Sequence, residues 1–248
     1  MIRFINLSFH SRVINLAVAV SLALLAFGAV AAEPRHNELT AREKAAGWKL
    51  LFDGKTTQGW RSFKKQTFPA QGWAVADGCL KCVAGGHGGD IISLDTFDNF
   101  DLRWEWKLPP GANNGVKYFI TEERAAAIGH EYQMLDDALH PDGKAGAKHT
   151  TAAFYDVLPP KEGKPLKPPG QWNVSRVLVQ GNHVEHWLNG ELVLTYELGS
   201  DEVKAGVAAS KFKSVAGFGT HIKGHILLTE HQDEAWFRDV KIRELPAK

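Results

Sequence analysis

The sequence predicts an all-β fold, a sandwich of two antiparallel sheets, and three observations favour it. About a dozen short segments alternate apolar and polar residues at intervals of roughly 8–12 residues, as in sandwich proteins. Hairpin-type dipeptides, Asp77-Gly78, Gly181-Asn182 and Asn189-Gly190, separate several of these segments. The strand–helix–strand alternation that would indicate a parallel sheet is missing from the pattern.

The predicted elements follow this pattern in chain order. Thr40 and Glu43 form a capping-box pair that predicts a short helix over 40–46. A surface helix is expected over 200–211, and the proline- and lysine-rich stretch 159–169 predicts a solvent-exposed loop. The predicted strands cover residues 73–76, 79–83, 90–94, 100–108, 115–120, 131–135, 151–158, 172–180, 183–188, 192–198, 225–229 and 235–243.

The N-terminus has the pattern of a secretory leader. Two arginines are its only charged residues, and the stretch 13–32 is almost wholly apolar and ends in small residues. We expect a signal peptide over residues 1–32, cleaved after Ala31 or Ala32, and hence a periplasmic or secreted protein. A membrane anchor is the alternative, because an apolar run of this length could span a bilayer, but the terminal small residues favour cleavage.

Residues 33–248 are predicted to form a single domain that does not bind nucleic acid. Loss of the leader leaves 27 basic against 28 acidic residues, which gives no basic surface of the kind that nucleic acid requires. A chain of this length can bury a large core without disulfides. Cys79 and Cys82, the two cysteines, fall in one predicted strand, so we expect buried thiols and not a redox or zinc site.

Alternation within the predicted strands separates a core face from an outer face. In the segment Arg103-Trp104-Glu105-Trp106-Lys107-Leu108, the tryptophans and the leucine share one face and the charged residues share the other. Most of the eight tryptophans are therefore expected in the core, although exposed ones would suit stacking on a sugar ring.

The segment 129–137 contains carboxylates of the type that glycoside chemistry uses. Glu131 and Gln133 share one strand face, and Asp136 and Asp137 follow at the strand end. The spacing is similar to the Glu-x-Asp-x-x-Glu strand of retaining glucanases, but Gln133 and Asp136 break the match. A solvated strand face is the alternative interpretation.

A second polar cluster occupies residues 229–234. His231 lies there between carboxylates at a turn, and a histidine beside a carboxylate is a credible general base. A surface turn rich in acids is the alternative. Lys117, on a strand face with Phe119, could bring an ammonium near a substrate oxygen, or it could simply be solvated.

Several short motifs in a fixed order resemble one known family. They are Leu51-Phe52-Asp53-Gly54-Lys55, Gly59-Trp60, Gly72-Trp73, Asp77-Gly78, Gly88-Gly89-Asp90, Asn113-Asn114-Gly115-Val116-Lys117, Glu131-Tyr132-Gln133 with Asp136, Trp187-Leu188-Asn189-Gly190, and Glu230-His231 with Asp233 before Trp236-Phe237-Arg238. Together they are similar to the 3-keto-disaccharide hydrolase domain, also described as 3-keto-glucoside 1,2-lyase and 3-keto-2-hydroxy-glucal hydratase. The resemblance extends over residues 48–245 and implies a concanavalin-like jelly roll.

The resemblance implies cleavage of 3-keto-glycosides. A separate sugar 3-dehydrogenase supplies such substrates, and the ketone at C3 makes the proton on C2 acidic. Loss of that proton gives an enolate that expels the C1 substituent, and water can then add back, so that elimination with hydration amounts to hydrolysis. This chemistry needs a base, a stabiliser for the enolate oxygen and an acid for the leaving group.

The resemblance also implies roles for particular residues. His231 is expected to act as base or acid, oriented by Asp233, with Glu131 as its partner across the cleft. Lys117 and Gln133 would polarise the ketone. The residues expected to bind sugar hydroxyls or otherwise contact substrate are Asp90, Asp136, Tyr155 and His186. A divalent metal ion could replace Lys117 as the enolate stabiliser, but the sequence shows no diagnostic ligand spacing.

Two other functions remain open at this stage. A glucanase of the same fold would act on unoxidised glycan and would need two correctly separated carboxylates, which Gln133 argues against. A non-catalytic, lectin-like carbohydrate-binding module would have no catalytic activity, so replacing Glu131 or His231 by Ala would have no effect in an activity assay. Fold alone does not decide among these functions.

Overall fold

The computed structural model describes Met1 and residues 35–247, so the rest of the predicted leader, residues 1–32, lies outside the described residues. The described part contains thirteen strands: β1 (Trp48–Leu50), β2 (Trp60–Ser62), β3 (Trp73–Ala76), β4 (Cys79–Cys82), β5 (Ile91–Phe97), β6 (Phe100–Lys107), β7 (Asn113–Ile120), β8 (His130–Leu135), β9 (Asn173–Gln180), β10 (His183–Leu188), β11 (Glu191–Glu197), β12 (Gly224–Leu228) and β13 (Ala235–Glu244). The helices are α1 (Ala41–Ala45), α2 (Pro141–Lys144) and α3 (Asp201–Ala208), with one 3-10 turn, Ala147–His149. Among the described residues, no helix has both the length and the apolar character needed to cross a membrane.

The strands form two antiparallel sheets with a shared core. The larger sheet has the order β11-β10-β9-β6-β13-β4-β3, and β1 also pairs with β13. The smaller sheet has the order β2-β5-β12-β7-β8. Strands that are distant in sequence are neighbours in space, as β6 and β13 are. This arrangement is the concanavalin-like jelly roll, and the predicted all-β sandwich is confirmed.

Aromatic side chains from both sheets meet in the core. Trp104 of β6 contacts Tyr132 of β8 edge to face, with ring centroids 4.9 Å apart. The indole nitrogen of Trp104 also donates to the Met134 sulfur at 3.3 Å. Alternation therefore placed the tryptophans of β6 correctly. The buried tryptophans are Trp48, Trp60, Trp73, Trp104 and Trp106.

Ion pairs and stacked cations cover the outer face of the larger sheet. Asp101 is fully buried there and accepts hydrogen bonds from three guanidinium groups, those of Arg103, Arg176 and Arg243. Cations also lie over the rings of Trp48, Trp172, Trp187 and Trp236. Because its charges are largely paired with one another, this face offers few free groups for chemistry.

The segment 151–158 is not the strand that the sequence predicts. Ala152 and Asp156 adopt left-handed φ angles of 68° and 62°, which interrupt an extended ladder. Phe154 pairs only in isolated bridges, with Tyr132 and with Leu158. The segment therefore runs as an irregular edge beside β8.

Other local predictions agree with the structure. The capping box of Thr40 and Glu43 opens α1, and the predicted surface helix is present as α3. Cys79 and Cys82 are buried free thiols, as expected. The short strands β1 and β2 are additions to the predicted set, because three residues are too few to show a clear alternation.

Two histidines are fully enclosed between the sheets. His186 donates from Nδ1 to the carbonyl of Ala152 at 3.0 Å, and its Nε2 accepts from the Tyr118 hydroxyl at 2.9 Å. His130 accepts at Nε2 from the backbone N–H of Gly219 at 3.0 Å. Burial lowers the pKa of His186 to about 4, and it lowers the pKa of His130, which also lies near cations, to about 3.

These histidines make stability depend on pH. Both pKa values are lowered from 6.5, so only the unfolded chain takes up these protons as pH falls from about 6.5 towards 4. We expect the free energy of unfolding, measured with urea, to be lower at pH 5 than at pH 7 by about 2 kcal/mol for each histidine. A His186→Asn variant should lose less stability over this interval than the wild type. Equal stability at both pH values would contradict this.

Candidate active site

A polar row crosses the outer face of the smaller sheet. Lys117 of β7 pairs with Glu131 of β8 on one side and with Leu227 of β12 on the other. Val116 and Tyr132, their neighbours along the strands, point into the core. Lys117 and Glu131 therefore point away from the core, into a cleft that both of them line.

Gly115 makes room for the carboxylate of Glu131. A Cβ atom placed on Gly115 would lie only 2.2 Å from Glu131 Oε1 and 3.0 Å from its carboxyl carbon. The carboxylate therefore lies against the bare backbone of the neighbouring strand. Any side chain at position 115 would displace it.

The Glu131 carboxylate is enclosed, but the described residues make few polar contacts with it. Glu131 is 6% exposed, and its nearest cation is Lys117, with Nζ 3.9 Å from Oε2. Among the described residues, no hydrogen bond to this carboxylate is present. An enclosed carboxylate that is not held by hydrogen bonds can accept a proton from a bound molecule.

Tyr155 extends the row beyond the edge of β8. The backbone N–H of Tyr155 donates to the carbonyl of Glu131 at 3.1 Å, and the preceding Phe154 is buried in the core. The Tyr155 ring thus lies beside Glu131 on the outer face. Its hydroxyl donates to Asp142 Oδ2 at 2.8 Å.

Negative charge and burial hold the Tyr155 hydroxyl in its protonated form. Burial raises the pKa of Tyr155 most, followed by its hydrogen bond to Asp142 and by repulsion from Asp142, Glu131 and Asp156. At neutral pH, Tyr155 is therefore a hydrogen-bond donor next to the acceptor Glu131.

His149 lies between two carboxylates behind Tyr155. Its Nδ1 lies 3.1 Å from Asp142 Oδ1, and its Nε2 lies 3.0 Å from Asp156 Oδ1. The imidazole also stacks on the Tyr155 ring, with centroids 5.0 Å apart. Lys211 covers the same ring, with its ammonium 4.3 Å from the centroid. These contacts fix the ring plane of Tyr155.

The cleft encloses about 320 Å³ at one end of this row. Lys117, Gly129 and Glu131 line it on the sheet side. The opposite wall is made by Ala127, Ile128, Lys211, Phe212 and Val215. The polar groups Gln133, Tyr155 and Asp142 lie towards the other end, where Gln133 Nε2 is 3.4 Å from Asp142 Oδ2. The row is therefore polar at one end and apolar at the other.

The loop that carries His231 reaches the polar end. The N–H of Thr229 donates to the carbonyl of Gly115 at 3.1 Å, and the N–H of Glu230 donates to Asp90 Oδ1 at 2.9 Å. His231 itself is exposed. Asp233 accepts from the backbone N–H of Asn113 at 2.9 Å, so within the described part of the chain it holds the loop and does not bond to His231.

The structure places two of the sequence-predicted residues away from this row. His186 is buried in the core, where a substrate in the cleft does not reach it, so the expectation that it contacts substrate disagrees with the structure. Asp136 accepts from the backbone N–H groups of Gly111, Ala138 and Leu139, and it lines a different cavity. Its carboxylate thus stabilises a turn.

The structure also brings residues to the site that sequence reasoning missed. Asp142 lies in the short helix α2, His149 in the 3-10 turn and Lys211 in the loop after α3, and they meet Tyr155 only in three dimensions. Helix α2 begins at Pro141 and is capped by the His140 side chain. This helix start was the one local indication in the sequence of where Asp142 would lie.

A group of potential metal ligands lies elsewhere in the described part of the chain. His36, Glu105 and Asp239 have ligand atoms within 4.8 Å of one another, and Glu105 and Asp239 belong to the larger sheet. In the region the structure describes, the polar row on the smaller sheet forms no such group.

The fold and its lined cleft define a concanavalin-like jelly roll with a candidate active site on the smaller sheet. The model of the 3-keto-alpha-glucoside-1,2-lyase-like domain family matches residues 47–243. The chain belongs to this family. A 3-keto-disaccharide hydrolase of Bacteroides thetaiotaomicron is 34% identical over 234 residues, which cover 81% of this chain and 79% of that protein.

Two solved structures from Parabacteroides distasonis are also similar. One candidate glycosyl hydrolase is 33% identical, with a TM-score of 0.77 over 86% of this chain and 100% of its own. A second candidate glycosyl hydrolase is 26% identical, with a TM-score of 0.64 over 80% of this chain and 99% of its own. Both share the fold across nearly their whole length.

Replacing Asp142 tests the contacts around Tyr155. Asp142→Asn removes one negative charge next to the phenol, so we expect the raised pKa of Tyr155 to move down towards its ordinary value of 10.0. Ultraviolet difference titration of tyrosinate, compared with a Tyr155→Phe background, measures this shift. Asp95→Asn, at an exposed position, is the control and should leave the titration unchanged. Superimposable curves for Asp142→Asn and the wild type would show that Asp142 does not act on Tyr155.

Proposed function

We propose that this protein cleaves 3-keto-glycosides by removing the C2 proton and eliminating the C1 substituent. The observation that carries the proposal is the enclosed Glu131 carboxylate, free of hydrogen bonds within the described residues and 3.9 Å from the Lys117 ammonium. A base beside a cation suits enolate formation next to a ketone. Family membership and the named relative support the same substrate class.

Each step can be assigned to residues of the row. Glu131 accepts the C2 proton, and the electrons of that C–H bond form an enolate whose oxygen lies at Lys117. The enolate collapses, the C1–O bond breaks, and the departing oxygen recovers the proton from Glu131. Water then adds to the resulting enone, with hydroxyl at C1 and hydrogen at C2, so the net reaction is hydrolysis. A positioned base contributes about 10²–10⁴-fold to such a step.

The polar end of the row suits the oxidised sugar. Gln133 offers an amide donor for its hydroxyls or carbonyl, and the Tyr155 oxygen, whose proton is donated to Asp142, can accept from a sugar hydroxyl. Asp90 lies at the loop that carries His231. In this proposal Glu131 is the base and His231 a binding group, because Glu131 is enclosed whereas His231 is exposed. Asp233 keeps the loop in place through Asn113.

The geometry fits a glucanase less well. A retaining glucanase needs a second carboxylate about 5–5.5 Å from the first. The next outward position on β8 is Gln133, and the carboxylate above it, Asp142, is already bound to Tyr155. Hydrolysis through paired carboxylates is therefore disfavoured.

The proposal extends to where the protein works and what precedes it. Because the substrate already contains a ketone at C3, a separate sugar 3-dehydrogenase must produce it. We also propose export to the periplasm or beyond, on the strength of the leader-like sequence of residues 1–32.

The first test compares an oxidised substrate with its parent. The protein without residues 1–32 is incubated with a 3-keto-glucoside and with the same glucoside before oxidation, each with and without a chelator, and release of the aglycone is followed. We expect release from the keto sugar only. Release from the parent would favour a glucanase, and no release from either would favour a binding module. Loss of release with chelator would transfer the role of Lys117 to a metal ion.

Substitution of Glu131 tests the base directly. Glu131→Gln keeps the size of the side chain but removes the proton acceptor, so turnover of the keto sugar should fall by about 10²–10⁴-fold. Glu123→Gln makes the same charge change at an exposed position and is the matched control. His231→Ala should cost less than Glu131→Gln. The reverse order of these losses would make His231 the base.

A further inference from the structure

We propose that the apolar end of the cleft is a subsite for an apolar, ring-bearing aglycone. Glycosides of that kind, and not disaccharides, would then be the preferred substrates. This inference rests on the proposed function, because it assumes that the bond to be broken lies above Glu131 and Lys117. The inference adds to the proposed function the chemical class of the leaving group.

The position of the subsite follows from the order of residues along β8. Gln133 lies on one side of Glu131, together with Asp142 and the loop of His231. Gly129 lies on the other side, where the cleft of about 320 Å³ continues. If the oxidised sugar uses the polar donors, its C1 substituent extends past Glu131 towards Gly129.

The wall of this end is apolar. Ala127, Ile128, Phe212 and Val215 line it, and each contributes a hydrocarbon side chain. Among the lining side chains, the polar ones are Lys117 and Glu131 at the reaction centre and the exposed Lys211 at the rim. An apolar ring in this space would be removed from water against the wall, at about 25 cal/mol per Å² of apolar surface.

The wall is held in a fixed shape. Arg124 donates to the carbonyl of Ile128 at 2.8 Å and to that of Ala216 at 3.2 Å, so one guanidinium joins the two segments that form the wall. Phe212 stacks on Phe218 with centroids 4.2 Å apart, and Phe218 packs on the buried His130. A preformed wall lowers the entropic cost of binding a rigid ring.

A second hexose would suit this space poorly. Its hydroxyl groups would lose hydrogen bonds to water, and the hydrocarbon side chains of the wall would not replace them. Each buried hydroxyl that is left without a partner costs about 1–3 kcal/mol. A planar or cycloaliphatic ring avoids this cost, which is the basis for the preference.

The test compares three 3-keto substrates that differ only in the leaving group: benzyl, methyl and a second glucose. In all three the leaving oxygen takes the proton from Glu131 and departs as an alcohol. A sugar hydroxyl is the most acidic of the three, so a preference for benzyl over glucose reports on the subsite and not on the ease of bond breaking. We expect kcat/KM for the benzyl glycoside to exceed that for the disaccharide by about tenfold or more. Turnover of the methyl glycoside, which does not reach the wall, reports on the proposed function alone.

A variant of the wall completes the test. Val215→Thr keeps the shape of the side chain and adds a hydroxyl, so it should lower kcat/KM for the benzyl glycoside several-fold and leave the methyl glycoside unchanged. Val174→Thr, at an exposed position on β9, is the matched control and should change neither.

The outcomes separate the two proposals. Turnover of the methyl glycoside with equal or better use of the disaccharide than of the benzyl glycoside would overturn the subsite and leave the proposed function standing. Failure of all three substrates would overturn both. A benzyl preference that Val215→Thr does not reduce would place the aglycone elsewhere and also overturn the subsite.

Discussion

The candidate site depends on the space above one glycine. Glu131 Oε1 occupies room that a side chain at position 115 would fill, so the carboxylate lies against the strand and close to Lys117. In that position it is shielded from solvent and yet accepts no hydrogen bond from the described residues. A base needs both properties. Full hydrogen bonding would stabilise the charge of the carboxylate and make it a weaker base, and full exposure would let water compete with the substrate for the carboxylate.

The outer faces of the two sheets differ: that of the larger sheet is covered by paired charges, and that of the smaller sheet carries the candidate active site. The larger sheet covers its outer face with guanidinium groups around Asp101 and with cations over tryptophan rings. The smaller sheet leaves Lys117 and Glu131 facing a cleft, and irregular segments complete the surroundings. Segments without regular pairing can bring Tyr155, Asp142 and Lys211 over the row, which strands of the sheet could not do.

The sequence allowed prediction of the sandwich, of most strands and of the shared strand face of Glu131 and Gln133, because strand alternation has a period of two residues. It also placed Lys117 among the candidate residues. The pairing of Lys117 with Glu131 depends on strand register, and the left-handed turns at Ala152 and Asp156 depend on tertiary contacts. His186 was predicted to contact substrate because the sequence shows a polar residue on a strand but not the group to which it is hydrogen-bonded. In the structure that group is the hydroxyl of Tyr118 in the core.

One substitution tests the central claim that Gly115 positions the base. In Gly115→Ala the new methyl group would lie 2.2 Å from Glu131 Oε1 and must displace it. We predict that turnover of a 3-keto-glucoside falls by about 10²-fold, since a misplacement of about 1 Å has that effect. The free energy of unfolding should change by less than about 1 kcal/mol, because only the end of a side chain moves. Turnover at the wild-type rate would contradict the account.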